Sequence, residues 1–193
     1  MRLQRTAAAA ILLLATPARA QDGSEATGSR TPENAQRFLS QVIGTTTVTA
    51  GTPGRNRSMV SYNIRSIRHD GTCVSILEGV PRNFVVREDS GQMFNGYAGD
   101  QGDLNLLRPH QRLIASLGIA QAPYRIEWGK LGPILLSPAS WATGNPVGDQ
   151  TMRLQTNSWS INLDFASSEL ANRVKLAMET LRAACDPVAD TGF

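Results

Sequence analysis

SSELANRVKLAMETLRAAC, residues Ser167–Cys185, is the stretch whose reading decides the fold. Leu170, Val174, Ala177, Leu181 and Ala184 recur at steps of three and four, the spacing that lays side chains on one stripe of an α-helix. At roughly 100° per residue, Cys185 falls about 60° from Leu170, on the edge of that stripe. The only other cysteine, Cys73, lies in the β-like run TCVSIL. A helix laid on a sheet and bolted to it by a Cys73–Cys185 disulfide is the simplest reading. Cys73 then faces the closing helix with Ser75 and Leu77, while Val74 and Ile76 face the other way. Apolar weight on both faces predicts a central strand, not an edge.

The first twenty residues read as a secretory signal peptide: a basic start with Arg2 and Arg5, the apolar run Ala7–Ala15, and Ala18-Arg19-Ala20 before Gln21. The apolar run is far short of the roughly 20 residues that span a bilayer, so no transmembrane anchor is expected after cleavage. Removing Arg2, Arg5 and Arg19 with that segment leaves basic and acidic residues in equal number. The net charge of +3 belongs to the targeting segment and is no argument for nucleic acid as a partner. Export and two cysteines fit a disulfide formed in an oxidising compartment.

Residues 21–30, QDGSEATGSR, read as a flexible polar leader, and 31–193 as one domain. Thr31, Pro32 and Glu33 read as N-cap, N1 and first-turn acid of a helix. Ala35, Phe38, Leu39, Val42 and Ile43 form its core stripe, and Gly44 is placed at its end. Thr45–Ala50 reads as a strand and Gly51–Arg57 as a turn-rich link. Ser58–Arg68 and Thr72–Gly79, joined at Asp70-Gly71, read as a hairpin. Short strands are expected at Phe84–Val86, at Tyr124–Trp128, around Leu131–Leu136, at Met152–Leu154 and at Trp159–Phe165. Arg112–Ser116 reads as one helical turn. Asp89–Asp103 and Ser137–Gln150 read as long loops. Helix first, about six strands between, helix last: this order predicts an α+β fold with a mostly antiparallel sheet and both helices on one face.

Motifs for chemistry are sparse. The sequence has no G-x-S-x-G elbow, P-loop, G-x-G-x-x-G or C-x-x-C. With two histidines and the cysteines paired, no metal site and no cofactor are expected. Asp89, Asp100 and Asp103 do not match a calcium-loop spacing. Glu78, Glu127 and Asp164 stand on strands, with no positive reason to pair any two of them across a cleft. Asp100, Asp103, Arg108, His110 and Arg112 are the densest ionisable cluster, either a solvated loop and helix start or an anion or acid–base site. Phe94 and Tyr97 in one expected loop and Trp141 in the other are either plugs over the core or binding contacts. Arg65, Arg125 and Arg153 stand on the polar faces of strands.

Two readings follow. The first is a non-enzymatic exported binding or interaction module of the cell envelope. Its partner is an envelope protein or a small ligand, and Trp141, Phe94, Tyr97, Arg108, His110 and Arg112 are its candidate contacts. The second is a small hydrolase or other enzyme with a site in Asp100–Arg112. The opening TPENAQRFL helix and the closing helix ending in CDP resemble in style the ends of small proteins exported by Gram-negative bacteria. That resemblance implies the periplasm, with full secretion as the alternative, and carries no functional residue across.

Overall fold

The computed structural model describes residues 30–99, 101–103, 105–138 and 149–186. The expected signal peptide, most of the leader and the Trp141 loop lie outside these residues. Three helices and eight strands are present among them. Helix α1 spans Pro32–Thr45, and strands β1, Val48–Pro53, and β2, Met59–His69, follow. Then come β3, Val74–Arg87, and β4, Met93–Tyr97. The short helix α2 is Gln111–Ser116 and β5 is Tyr124–Glu127. Strands β6, Leu135–Pro138, β7, Gln150–Gln155, and β8, Ser160–Phe165, lead to the closing helix α3, Ser168–Ala184. Every strand pairing is antiparallel, in the order β4-β3-β2-β1-β8-β7-β6, with β5 also on β3. This is the α+β architecture expected, with eight strands where about six were read.

The opening helix begins as its sequence dictates. The Thr31 hydroxyl accepts from the Asn34 N–H, and Pro32 occupies N1. Its end differs: Gly44 lies inside the helix, and Thr46, in extended conformation, caps it. The Thr45 and Thr46 hydroxyls donate back to the carbonyls of Gln41 and Val42, satisfying acceptors that a glycine cap would otherwise serve. The first strand therefore starts three residues later than Thr45 and runs through Gly51 to Pro53, into the expected link.

Register divides the sheet into two faces. Val48 and Ala50 of β1 align with Ile64 and Tyr62 of β2, and Ala50 also aligns with Leu163 of β8. These residues face the helices and are buried. Helix α1 covers this face with Ala35, Leu39, Val42 and Ile43. In α3 the buried stripe is Ala171, Val174, Ala177, Met178 and Leu181. It is turned slightly from the expected one, leaving Leu170 half-buried and Ala184 exposed. The Arg173 guanidinium lies 5.1 Å above the Phe38 ring and joins the two helices outside the core.

Four expected elements change. Of the run around Leu131–Leu136 only Leu135 and Leu136 are strand, in β6, which continues through Ser137 and Pro138 of the expected loop. Thr72–Gly79 and Phe84–Val86 are parts of one strand, β3, which continues through Pro81. Pro81 lies where the outer edge of β3 has no strand beside it: β5 stops at Leu77 and β4 begins at Asn83, so no ladder bond is lost there. Met93–Tyr97 is strand, not loop. Trp128 lies in a tight turn beyond β5 and not on the strand.

The tip of the β2–β3 hairpin is where the helices are fastened. Cys73 bonds Cys185, with Cα atoms 5.4 Å apart. Ser75 and Leu77 are buried on the same side, and β3 is flanked on both edges, as the central position requires. Gln36 of α1 donates to the Gly71 carbonyl at 2.8 Å. His69 Nε2 lies 3.1 Å from the Gln36 carbonyl, which can only accept, so Nε2 carries the proton. Nδ1 then accepts from the Ser75 hydroxyl at 2.8 Å, and that oxygen itself accepts from the buried Trp128 indole at 2.9 Å. Burial holds His69 below its ordinary pKa, partly offset by the Gln36 carbonyl.

Two outcomes are expected. The disulfide spans 112 residues of sequence, a loop whose closure is worth roughly 4–5 kcal/mol in the chain-entropy account. The double change Cys73→Ala, Cys185→Ala should therefore lower the urea midpoint by a corresponding amount, and an unchanged midpoint contradicts the staple. A histidine with a depressed folded pKa stabilises above its unfolded value of 6.5 and loses that stability as pH falls through the folded value. Unfolding free energy should fall with pH below about 6.5 in the native chain. The slope should be smaller in His69→Gln, which keeps a donor for Gln36; an equal slope in the two proteins contradicts the assignment.

Candidate functional site

The sheet face away from the helices should be wet, because its strand positions are polar. Much of it is not. Asn63, Thr49, Asp164 and Thr151 align in register straight across β2, β1, β8 and β7. All four are buried, at 3–5% exposure. A second row, Asn83, Ser61, Gly51, Asn162 and Arg153, runs beside it. A buried polar row on the far side of a sheet from its core costs stability unless its groups are paired. Here Thr151 donates to Asp164 at 2.7 Å, and Arg82 donates toward the Thr49 hydroxyl at 3.4 Å.

Two irregularities of the β2–β3 hairpin set this face. Ser61 pairs with Asn83 but Tyr62 pairs with Pro81, so Arg82 is an extra residue on β3. Ile64 pairs with Gly79 but Ser66 pairs with Glu78, so Arg65 is an extra residue on β2. Each is a β-bulge, a device that re-aims a side chain and bends the strand. The second bulge restores the register that the first displaces, so apolar residues face the core at both ends of the hairpin. The two inserted residues are both arginines.

Both arginines line one cavity of about 610 Å³. Asn63, Ile64, Arg65 and Arg82 form its strand side; Ile43 and Gly44 in the last turn of α1, with Thr46, Thr47 and Val48 after it, form the other. The segment after β4 lies over the same face: Asn63 donates to the Gly99 carbonyl at 3.4 Å and Arg65 to the Gln101 carbonyl at 3.2 Å. Gly102 has φ +74°, and a Cβ there would stand 2.3 Å from Val80 Cγ2, so glycine lets this segment close on β3. The glycine-rich part of Asp89–Asp103 is thus a cover for the polar face.

Asp164 is the one acid of the buried row. Burial raises its pKa, and the Thr151 hydroxyl and the Arg82 charge offset only part of that rise.

The residues singled out from sequence fall elsewhere. Phe94 packs on His110 with ring centres 4.9 Å apart, and Phe84 stacks on the same imidazole at 5.1 Å. Tyr97 and Met93 are exposed on edge strand β4. Arg108 and Arg112 are exposed on either side of His110, and no hydrogen bond or ion pair joins the three among the described residues. Asp103 accepts from the Asn105 N–H and starts the turn ahead of them. Trp141 and Asp100 lie outside the described residues. Of the earlier candidates on strands, Asp164 and Arg65 belong to the polar face. Glu127 is instead held on the surface between Lys130, at 2.6 Å, and Arg125, at 3.6 Å. Arg82 was missed. Its signal was Pro81-Arg82-Asn83 inside a run otherwise apolar enough to be strand, which marks a bulge.

Among the described residues no group of three or more His, Cys, Asp or Glu stands close enough to hold a metal, and no helix is long and apolar enough to cross a membrane. Comparison with known protein families, with curated proteins and with solved structures finds no match.

A carboxyl whose folded pKa is raised stabilises in its protonated form; that stability is complete below 3.8 and is lost as pH rises through the folded value. As pH rises toward neutral, Asp164 therefore weighs increasingly against the fold. Asp164→Asn should melt higher than the native chain at pH 7, and the advantage should vanish toward pH 3. A lower melting temperature at pH 7 would show that the carboxylate stabilises the sheet.

Proposed function

We propose that the chain is an exported binding module of the cell envelope, without enzymatic activity of its own, that holds a small polar ligand in the cavity between the end of α1 and strands β2 and β3. One observation carries this reading: two compensating bulges deliver Arg65 and Arg82 to a single cavity beside a buried polar row. Asn63, the end of the row, lines the cavity, and strands hold such groups more firmly than loops. The Asp100–Arg112 region supports a catalytic reading less well, because the His110 ring is held between Phe84 and Phe94.

The compartment follows from the same proposal. The Cys73–Cys185 bond fits an oxidising environment, and the signal-like start of the chain favours the Gram-negative periplasm, with secretion as the alternative.

The test uses the full precursor, exported and purified from a periplasm. Its denatured mass should begin at Gln21 and lack two hydrogens, and its native mass should include a retained small molecule. Thr47 is exposed at the cavity mouth, so Thr47→Trp should fill the cavity and leave the core untouched. The substituted protein should lose the retained molecule and keep its melting temperature. Retention unchanged in Thr47→Trp places the ligand elsewhere and refutes this reading.

A further inference from the structure

A second pair of cavities lies where the turn after β5 meets the β7–β8 turn. The first, of about 310 Å³, is lined by Arg125, Glu127 and Lys130 from β5 and its turn and by Thr156, Asn157 and Trp159 from the hairpin. The other, of about 330 Å³, shares Lys130, Thr156 and Asn157 with it and adds the exposed Pro133 and Leu135. Each falls in the size range of small-molecule sites, roughly 300–1,000 Å³. Both turns are fixed. Thr156 Oγ1 accepts from the N–H groups of Ser158 and Trp159, at 3.3 and 3.2 Å, and the Gly132 N–H donates to the Gln155 carbonyl at 2.9 Å, tying one turn to the other.

The charges here answer one another. Asp70, Arg125, Glu127 and Lys130 form a chain of ion pairs, at 3.8, 3.6 and 2.6 Å, in which two cations match two anions. The Lys130 hydrogen bond and charge hold the Glu127 carboxyl below its ordinary pKa, so it stays an acceptor. An ionic ligand would compete with these pairs. A neutral polyhydroxyl ligand would not. Each of its hydroxyls donates and accepts, and the wall offers a carboxylate acceptor, guanidinium and ammonium donors and, in the exposed Asn157 amide, both. Trp159 supplies the apolar part. It packs partly on the core and lines the cavity with what remains. Its indole N–H bonds to no described residue and is not sealed from solvent. An indole of this kind joins apolar surface to a wet donor, and a sugar ring joins a C–H face to hydroxyls.

We infer that the two cavities form one groove for a neutral oligosaccharide, with one sugar ring against Trp159, the next against Pro133 and Leu135, and Lys130 and Asn157 bonded to hydroxyls between them. The groove shares no residue with the cavity between α1 and strands β2 and β3, and its ligand is a second one. Affinity should be nearly independent of salt, because no net charge is neutralised on binding.

Titration of the exported chain with maltotriose, cellotriose and triacetylchitotriose, three neutral trisaccharides, tests this by calorimetry and by the indole N–H resonances. At least one should bind and shift the Trp159 resonance, leaving that of the buried Trp128 in place. Its Kd should change less than about twofold between low and high salt. Glu127 is partly exposed and its ion pairs lie on the surface, so Glu127→Gln should fold normally and weaken binding severalfold. Trp159→Ala should weaken it about tenfold. If that variant does not fold, Trp159→Phe, which keeps a ring on the core and lacks the N–H, should weaken it severalfold. Thr47→Trp should bind the sugar as the native chain does. The inference is overturned if none of the three sugars binds, or if binding is indifferent to Glu127→Gln or to the Trp159 variant. It is overturned equally if affinity falls steeply with salt or is lost in Thr47→Trp. The reading of the larger cavity stands or falls separately, on the molecule retained there.

Discussion

The β2–β3 hairpin has to satisfy two faces at once, and the rest of the structure depends on how it does so. At its tip it must present Cys73, Ser75 and His69 to the helices, because the disulfide, the Trp128 bond and the Gln36 bonds all converge there. In its middle it brings Asn63 and two arginines to one cavity. A regular ladder alternates side chains with period two, so one inserted residue would turn the tip inside out. Two insertions, one on each strand, cancel. The bulges at Arg82 and Arg65 thus change the middle of the hairpin and leave both ends in register.

That arrangement explains why polar residues are buried where a sheet ordinarily meets water. The segment after β4 closes over Asn63 and Val80, and register puts Thr49, Asp164 and Thr151 in line with them. Burial raises the pKa of the Asp164 carboxyl, a cost to folding at neutral pH that neither Thr151 nor Arg82 removes. Residues that weigh against stability and are nevertheless tied into a fixed geometry are the ordinary mark of a site that does something else.

Much of the fold was legible in the chain. The N-terminal cap of α1, the helix α3, the strands β2 and β8 and the Cys73–Cys185 pairing are local signals or follow from two cysteines, and they stand in the structure. What was misread shares one cause. Val80–Asn83 and Met93–Tyr97 carry glycine and proline, or sit near them, and these residues punctuate loops more often than strands. Here Pro81 occupies a gap between two partner strands and Gly96 packs against the Phe84 ring, contacts that only the tertiary structure creates. The site was illegible for the same reason. Asn63, Arg65, Arg82 and Asp164 lie on three strands, are spread over a hundred residues, and meet only through register. The ionisable cluster at Asp100–Arg112 drew notice because its members are close in sequence, which is a poor guide to closeness on a sheet.

The most direct measurement is of the guanidinium Nε–H resonances of the arginines, followed by NMR while the small molecule released from the exported protein by denaturation is added back. Arg65 and Arg82 should shift together and saturate at one concentration, with the Asn63 carboxamide following. The exposed Arg108, Arg112 and Arg125 should stay in place. Shifts centred on Arg125 or Arg108, or spread evenly over the exposed arginines, would contradict the claim that the two bulges build a ligand site.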